Sequence, residues 1–397
     1  MRRVLHIVTA FPRSDSEDSM TPWLISLLRG IEARGFHNVV VAPAYKGLGN
    51  QTVFGLEVRR FRYFIRRWED LTHDEATPVR LARKPWYLLW VPFMLLSGRN
   101  FVRKIIAKEK FDIIHIHWPI PMAFVGAPAY RKLPTILHFY TAETSMIRRY
   151  PAIKPFFKKY IRDADRVIAL TSYGAQQAKS VYDREIDIVP YGTKFPESAP
   201  EVVFPGDRTP KRILFVGRLV ERKGVRYLIE AMPEILRKLD AELIIVGGGP
   251  LLEELKRTAS GAGVADRVRF TGIVPAEEKE RWYSESDLFV LPACFDRHGD
   301  TEGQGVVLLE ALSHRKPVVA SAVGGIVDIV KHEKTGLLVP EKDPHALAEA
   351  ITRILTDEDL YVRLAREGYD FARKNFSEDA VADKVVGIYR ELIKSRS

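Results

Sequence analysis

Four charged residues in two glycine-bearing segments are the first candidates for chemistry. In TEGQGVVLLE, residues 301–310, Glu302 stands beside Gly303, Gln304 and Gly305, and Glu310 follows eight positions after Glu302. Glycine lets a backbone come close to a ligand. The first amides of a following helix offer unpaired donors to hydroxyl oxygens or negative charge. A carboxylate beside them can accept from sugar hydroxyls, and a second one two turns deeper can hold a ribose diol. Glu310 lies within VVLLEAL, so a half-buried carboxylate in need of a partner is expected there. In ILFVGRLVERKG, residues 213–224, a strand-like run enters Gly217-Arg218, with Lys223 and Gly224 just beyond. An Arg fork and a Lys point charge suit a diphosphate and would stabilise charge growing on a leaving group. Taken singly, each segment also admits a bland reading: Glu302 as a capping acid, Glu310 as a solvated helix residue, the basic turn as solvated surface.

Two weaker signals accompany these. Val246-Gly247-Gly248-Gly249-Pro250 lacks the spaced glycines of nicotinamide-binding turns and is expected to serve close packing of strand on helix. His138 ends the run TILH, where it could hydrogen-bond a sugar hydroxyl or the reacting centre. His115 and His117 of HIHW compete for that role, and a structural histidine is the alternative.

The elements that must position these residues alternate between strand and helix throughout. Val4–Thr9, Val39–Ala42, Phe111–His117, Thr135–Phe139 and Arg166–Leu170 are short apolar or β-branched runs with helical stretches between them. Trp23, Leu24, Leu27, Leu28 and Ile31 are spaced for one face of a helix, with Thr21 or Ser19 available as its cap. Residues 194–211 hold four prolines and little periodicity, which marks a linker. A second alternation follows, with strands at Arg212–Val216, Leu243–Val246, Val268–Thr271, Leu288–Leu291, Pro317–Ala320 and Gly336–Val339. Helices are expected near 224–238, 250–261, 276–284, 305–313, 324–332 and 344–356, and two more in 360–394. The fold class is α/β: two Rossmann-like, doubly wound domains facing each other across a cleft. The expected division is 1–193, linker 194–211, 212–370, and a closing helix at 371–397 that packs back on the first domain.

Composition narrows the classes. The 397 residues are 46% hydrophobic and 28% charged, as in a globular protein. Cys294 is the single cysteine, so neither an internal disulfide nor a cysteine metal site can form. The start, MRRVLHIVTAFPRSD, reads as a buried strand: His6 interrupts its apolar run and Pro12 ends it without a small-residue cleavage site. The net charge of +10 is uneven, with 30 basic against 17 acidic residues in 1–193 and a slight acidic excess thereafter. Such a half favours an anionic partner. The greasy stretch WYLLWVPFMLL, residues 86–96, is too short to span a bilayer and contains Pro92. It is either a buried helix or, near Arg80, Arg83 and Lys84, a surface for peripheral contact with anionic membrane. Nucleic acid is not expected as a partner, because the basic residues are dispersed and no binding module is present.

Together these pieces resemble family 4 of the glycosyltransferases, retaining enzymes of the GT-B fold. VGRLVERKG, VGGGP, FTGIV, TEGQGVVLLEAL, PVVASAVGGIVDIV and TGLLVP follow in that family's order and spacing, and FPR, RGIEARGFHNVVVAP, HIHW and LHFY resemble its more variable acceptor half. The resemblance implies that Arg218 and Lys223, with Gly217, contact the donor diphosphate. It implies that Glu302 and the amides of Gly303, Gln304 and Gly305 hold the transferred sugar, and that Glu310 binds the ribose. Val274, with Ile273, would pack on the base, and His138 would sit beside the anomeric centre. It further implies retention of anomeric configuration with no metal and no other cofactor. A UDP- or GDP-type sugar would be the donor and a glycan, lipid-linked or small-molecule hydroxyl the acceptor. The location implied is cytoplasmic, or peripheral on the inner face of the membrane. His314-Arg315 stand where members often carry a small residue and glycine, Thr141 where many have glycine, and the loop RSDSEDSM lacks a glycine pair. The competing readings are a sugar-nucleotide epimerase on the same fold and a non-catalytic nucleotide- or membrane-binding scaffold. A phosphorylase would need a longer C-terminal domain than this chain has.

Overall fold

The structure, a computed structural model, describes residues 1–15, 20–74, 80–81, 83–198 and 200–396. It separates into two compact units, Met1–Gly192 together with Glu378–Ser397, and Thr193–Ser377. Each is built on a sheet whose central strands are buried, as parallel strands covered on both faces must be.

The sheet of the first unit comprises β1 (Arg2–Ile7), β2 (Phe36–Pro43), β3 (Gln51–Val53), β4 (Leu56–Phe61), β5 (Ile113–His117), β6 (Thr135–Phe139), β7 (Arg166–Ala169) and β8 (Asp187–Ile188). Their order is β3-β4-β2-β1-β5-β6-β7-β8, parallel except for the β3–β4 pair. Alternation divides the side chains between two layers. Leu5, Ile7, Ile114, Ile116 and Leu137 meet the helices Trp90–Lys108, Pro119–Gly126 and Lys154–Asp163. Val4, Val8, Ile113 and Ile136 meet the helices Pro22–Glu32 and Glu378–Arg396. These last two helices approach closely, for a Cβ on Gly30 would fall 2.8 Å from the Cβ of Ala382. Leu24, Leu27, Leu28 and Ile31 form the buried stripe of Pro22–Glu32. Thr21 precedes that helix at φ 53 without a side-chain capping bond, and Ser19 lies outside the described residues.

The second unit carries β9 (Lys211–Val216), β10 (Ala241–Val246), β11 (Val268–Gly272), β12 (Leu288–Leu291), β13 (Val318–Ser321) and β14 (Leu337–Val339), in the order β11-β10-β9-β12-β13-β14. Every pairing is parallel. The order reverses between β9 and β12, which makes their carboxyl ends the switch point where ligands of such sheets gather.

Three local outcomes differ from expectation. The β3–β4 hairpin was not foreseen. Its turn is Phe54-Gly55, with φ 51 and 80, a primed hairpin turn carrying Phe where Asn or Asp is the usual signal. The helix expected over 324–332 shrinks to Ile326–Ile329, because the Thr335 hydroxyl donates to the Ile329 carbonyl and accepts from the Lys331 amide. Arg315, where relatives of the resembled family often carry glycine, takes φ 53. Its guanidinium compensates by donating to the Pro200 carbonyl and lying 4.8 Å over the Tyr369 ring.

Candidate functional site

Lys223 and Glu302 come together at the switch point of the second unit. Lys223 lies in the turn after β9 and Glu302 in the loop after β12; Nζ to Oε2 is 2.5 Å, with side chains only 11% and 13% exposed. Backbone bonds bring the two loops into register. The Cys294 amide donates to the Arg222 carbonyl, and the Thr301 hydroxyl donates to the Cys294 carbonyl. Gly224 is required here: its φ is 65, and a Cβ would lie 1.8 Å from the Pro292 carbonyl oxygen. On the other side the loop is clamped by the turn after β13, where the Gly325 amide donates to the Glu302 carbonyl.

Gly305, at φ 85, opens the helix Val306–Ser313. Its first amides have no partner within the helix. Gln304 is buried within this loop. Glu310, midway along the helix, is held at both oxygens. Lys279 donates to Oε1 at 2.9 Å and the Tyr283 hydroxyl to Oε2 at 2.7 Å. Burial, with the Glu310 charge second, pushes the Tyr283 phenol well above its ordinary pKa, so it stays a donor. Both partners come from the helix Ala276–Glu285.

Arg218 stands exposed at the head of the β9 turn, after Gly217. The glycines after β10 pack on that turn backbone to backbone: a Cβ on Gly247 would fall 2.0 Å from the Gly217 oxygen, and one on Gly249 2.5 Å from the Leu219 oxygen. Close packing of strand on helix was expected of this glycine run; the close approach is instead of one turn on another, at the ends of β9 and β10. After β11, Ile273 is 88% exposed and reaches toward Gly248, whereas Val274 packs against the core. Of the pair named from sequence, Ile273 is the one presented to solvent.

His138 belongs to the first unit, inside β6, in a buried histidine layer. His6 is paired in register with His115, and His117 with His138. The Asn38 amide group donates to the Leu28 carbonyl, leaving its oxygen to accept from His6 Nε2 at 2.9 Å. His6 Nδ1 then accepts from His117 Nε2 at 3.1 Å, and His117 Nδ1 accepts from the Tyr140 hydroxyl at 2.7 Å. His115 bridges the Tyr389 hydroxyl and His138 Nδ1. Burial pulls His6 down to about 4 and His138 to about 3, and holds His115 and His117 well below the ordinary imidazole value. The ring nitrogens of His6, His115 and His117 lie within 4.8 Å of one another, a spacing that could hold a cation. The hydrogen bonds engage those same nitrogens, so the geometry is that of a chain of neutral rings. The residue at the carboxyl end of β6 is Tyr140, which stacks on His138 at 4.5 Å and on Tyr191 at 5.8 Å.

Comparison with known proteins decides the family. Residues 210–357 match the model described as Glycosyl transferases group 1, and residues 23–194 match Glycosyltransferase Family 4. A GDP-mannose-dependent alpha-(1-6)-phosphatidylinositol monomannoside mannosyltransferase of Mycobacterium tuberculosis is 30% identical over 98% of both chains. The chain belongs to the group 1, family 4 glycosyltransferases. A phosphatidyl-myo-inositol mannosyltransferase of Mycobacterium leprae is 28% identical over 75% of this glycosyltransferase and 78% of the relative. The fold is GT-B. Sucrose-phosphate synthase from Thermosynechococcus elongatus superposes with a TM-score of 0.71 at 20% identity over the whole of both chains. Anabaena HepE, solved with UDP-glucose, gives 0.67 at 16% identity over 98% of this chain and all of that one.

Sequence reasoning missed Lys279 and Tyr283 in this glycosyltransferase. Their signal was present: they stand at i and i+4 in AEEKERWYSE and therefore share a helix face. Nothing in the sequence paired that face with Glu310, 31 positions from Lys279. Asn38, Tyr140 and Tyr389 were not singled out from sequence, since they lie far apart along the chain and each reaches a different histidine of the layer.

Proposed function

We propose that this glycosyltransferase moves a hexosyl group, with retention and without a metal ion, from a nucleoside diphosphate sugar to a glycan or lipid-linked hydroxyl. The observation that carries the reading is the largely buried Lys223–Glu302 pair at the switch point, with Arg218 on the turn after β9 and Glu310 on the helix that follows the Glu302 loop. Arg218 and Lys223 would take the diphosphate. Glu302, relieved of Lys223, would accept from the hexose hydroxyls beside the amides of 303–305. Glu310, oriented by Tyr283, would accept from the ribose diol as Lys279 swings aside. Ile273 would lie against the base.

In the reaction the bond from the anomeric carbon to the β-phosphate oxygen breaks and one to the acceptor oxygen forms. The acceptor proton passes to the departing phosphate oxygen, so no side chain need serve as base. The two cations lower the barrier by stabilising charge that grows on the diphosphate. GDP-mannose is the first donor to try, because the relative matched over 98% of its length carries that donor in its name. Incubation with a panel of GDP- and UDP-sugars and a lipid extract, followed by mass analysis of the products, tests the reading. Transfer from one donor, undiminished by EDTA and giving the donor's own anomer, is expected. An inverted product, or activity abolished by EDTA and restored by a divalent ion, would overturn it.

A further inference from the structure

The large apolar side chains left in solvent are concentrated on one face of the first unit. Trp68, Trp86, Leu88, Leu89, Phe93 and Leu96 are each 40–68% exposed. Trp86 and Leu89 stand three apart on the 3-10 turn Pro85–Leu89, and Phe93 and Leu96 three apart on the helix Trp90–Lys108 that follows it directly. Met94, Gly98, Val102 and Ile105 make the opposite, buried side of Trp90–Lys108. The segment is therefore apolar on two sides and uses only one for the core. Trp68 joins the face through aromatic contacts: Phe64 lies 5.7 Å from Trp68, 5.2 Å from Trp90 and 5.5 Å from Phe93, and Trp68 lies 6.0 Å from Trp90.

The rim is basic. Arg66 and Arg67 are exposed beside Trp68, with the Arg67 guanidinium 4.8 Å over its ring, and Arg103 and Lys104 are exposed farther along the helix. No helix among the described residues is long and apolar enough to cross a membrane. A continuous apolar face with tryptophans and a cationic border matches the headgroup region of a bilayer. A second copy would bring arginine rim against arginine rim, whereas anionic lipid neutralises it.

We propose that this face docks the protein on an anionic bilayer, with Trp86, Leu89 and Phe93 entering the headgroup layer and Arg66 and Arg67 meeting lipid phosphates. The proposal is independent of the donor site, since none of these residues belongs to the second unit. The test is co-sedimentation of the full chain with vesicles of phosphatidylcholine alone or with one-third phosphatidylglycerol. Binding is expected to be at least about tenfold tighter on the anionic vesicles and to weaken as salt rises. Trp86→Ser, Leu89→Ser and Phe93→Ser combined should lose binding to both vesicle types, while Tm and donor hydrolysis in detergent-free solution stay unchanged. Arg66→Glu with Arg67→Glu should lose only the preference for anionic lipid. Equal sedimentation of the parent and the triple variant would overturn the proposal. So would a concentration-dependent dimer that the triple variant abolishes in a protein that ignores vesicles, which would give the face to a second copy.

Discussion

Lys223 and Glu302 neutralise each other where too little water reaches either to solvate it alone. Removing one partner strands the other, at a cost of about 3 kcal/mol. Lys223→Met is expected to lower kcat by about tenfold or more and to lower Tm as well. Lys223→Met with Glu302→Gln should recover most of the stability and none of the activity, a separation that thermal unfolding and steady-state kinetics read directly. Glu310→Ala should chiefly raise the donor KM. Tyr283→Phe should do so more weakly, because it removes only the hydroxyl that orients Glu310 and leaves the carboxylate itself to accept from the diol; unchanged KM in both would remove the ribose assignment. These charged residues were legible in the sequence because glycines and strand ends bracket them. The partners of Glu310 were not, since the contact depends on how one helix packs beside another. His138 was legible only as a histidine at a strand end. That its ring lies in a neutral network with His115 follows from sheet register, which residue types do not disclose.

At the scale of elements, the turns around the sheet edge are set by backbone clearance. Gly224→Ala, with its Cβ driven into the Pro292 carbonyl and φ at 65, is expected to cost about 3 kcal/mol, seen as a lowered unfolding midpoint. The histidine layer makes stability depend on pH. An unfolded chain protonates its imidazoles near pH 6.5, but in the fold His6 and His138 do so only near 4 and 3. Stability therefore falls as pH drops below about 6.5, by up to about 1.4 kcal/mol per pH unit for each ring. Glu143 acts in the opposite direction. Burial raises its carboxyl from 4.5 to about 8, so the fold keeps a proton that the unfolded chain releases, and stability declines as pH rises through that window. Below pH 6.5 the histidines outnumber it, and above that it acts against no histidine. Tm is expected to peak near pH 6.5. Glu143→Gln should flatten the alkaline limb and steepen the acid one; a Tm constant from pH 4.5 to 8 would contradict this account. The central strands were readable as apolar runs. The β3–β4 hairpin was not, because its turn carries Phe in a left-handed conformation and its second strand alternates with arginines and a glutamate.

At the scale of the molecule, the two units divide charge and labour in a way that composition foreshadowed. The basic excess and the exposed apolar face belong to the first, and the acid–cation constellation to the second. The second unit is one unbroken stretch, Thr193–Ser377, whose ends meet: Thr193 bridges to Ser377, and its amide donates to the Phe376 carbonyl. Expressed alone, residues 193–377 are expected to fold cooperatively and to be stabilised by a nucleoside diphosphate in a thermal-shift assay. Residues 1–192 alone lack the helix that covers Val4, Ile113 and Ile136 and supplies Tyr389 to His115; they should aggregate or remain loosely packed. That interruption has a bearing on synthesis. The ribosome makes most of the first unit, then all of the second, and only afterwards the segment that seals the first. The second unit can thus mature while translation continues, whereas its older neighbour must wait, partly open, for the strip of chain that completes it.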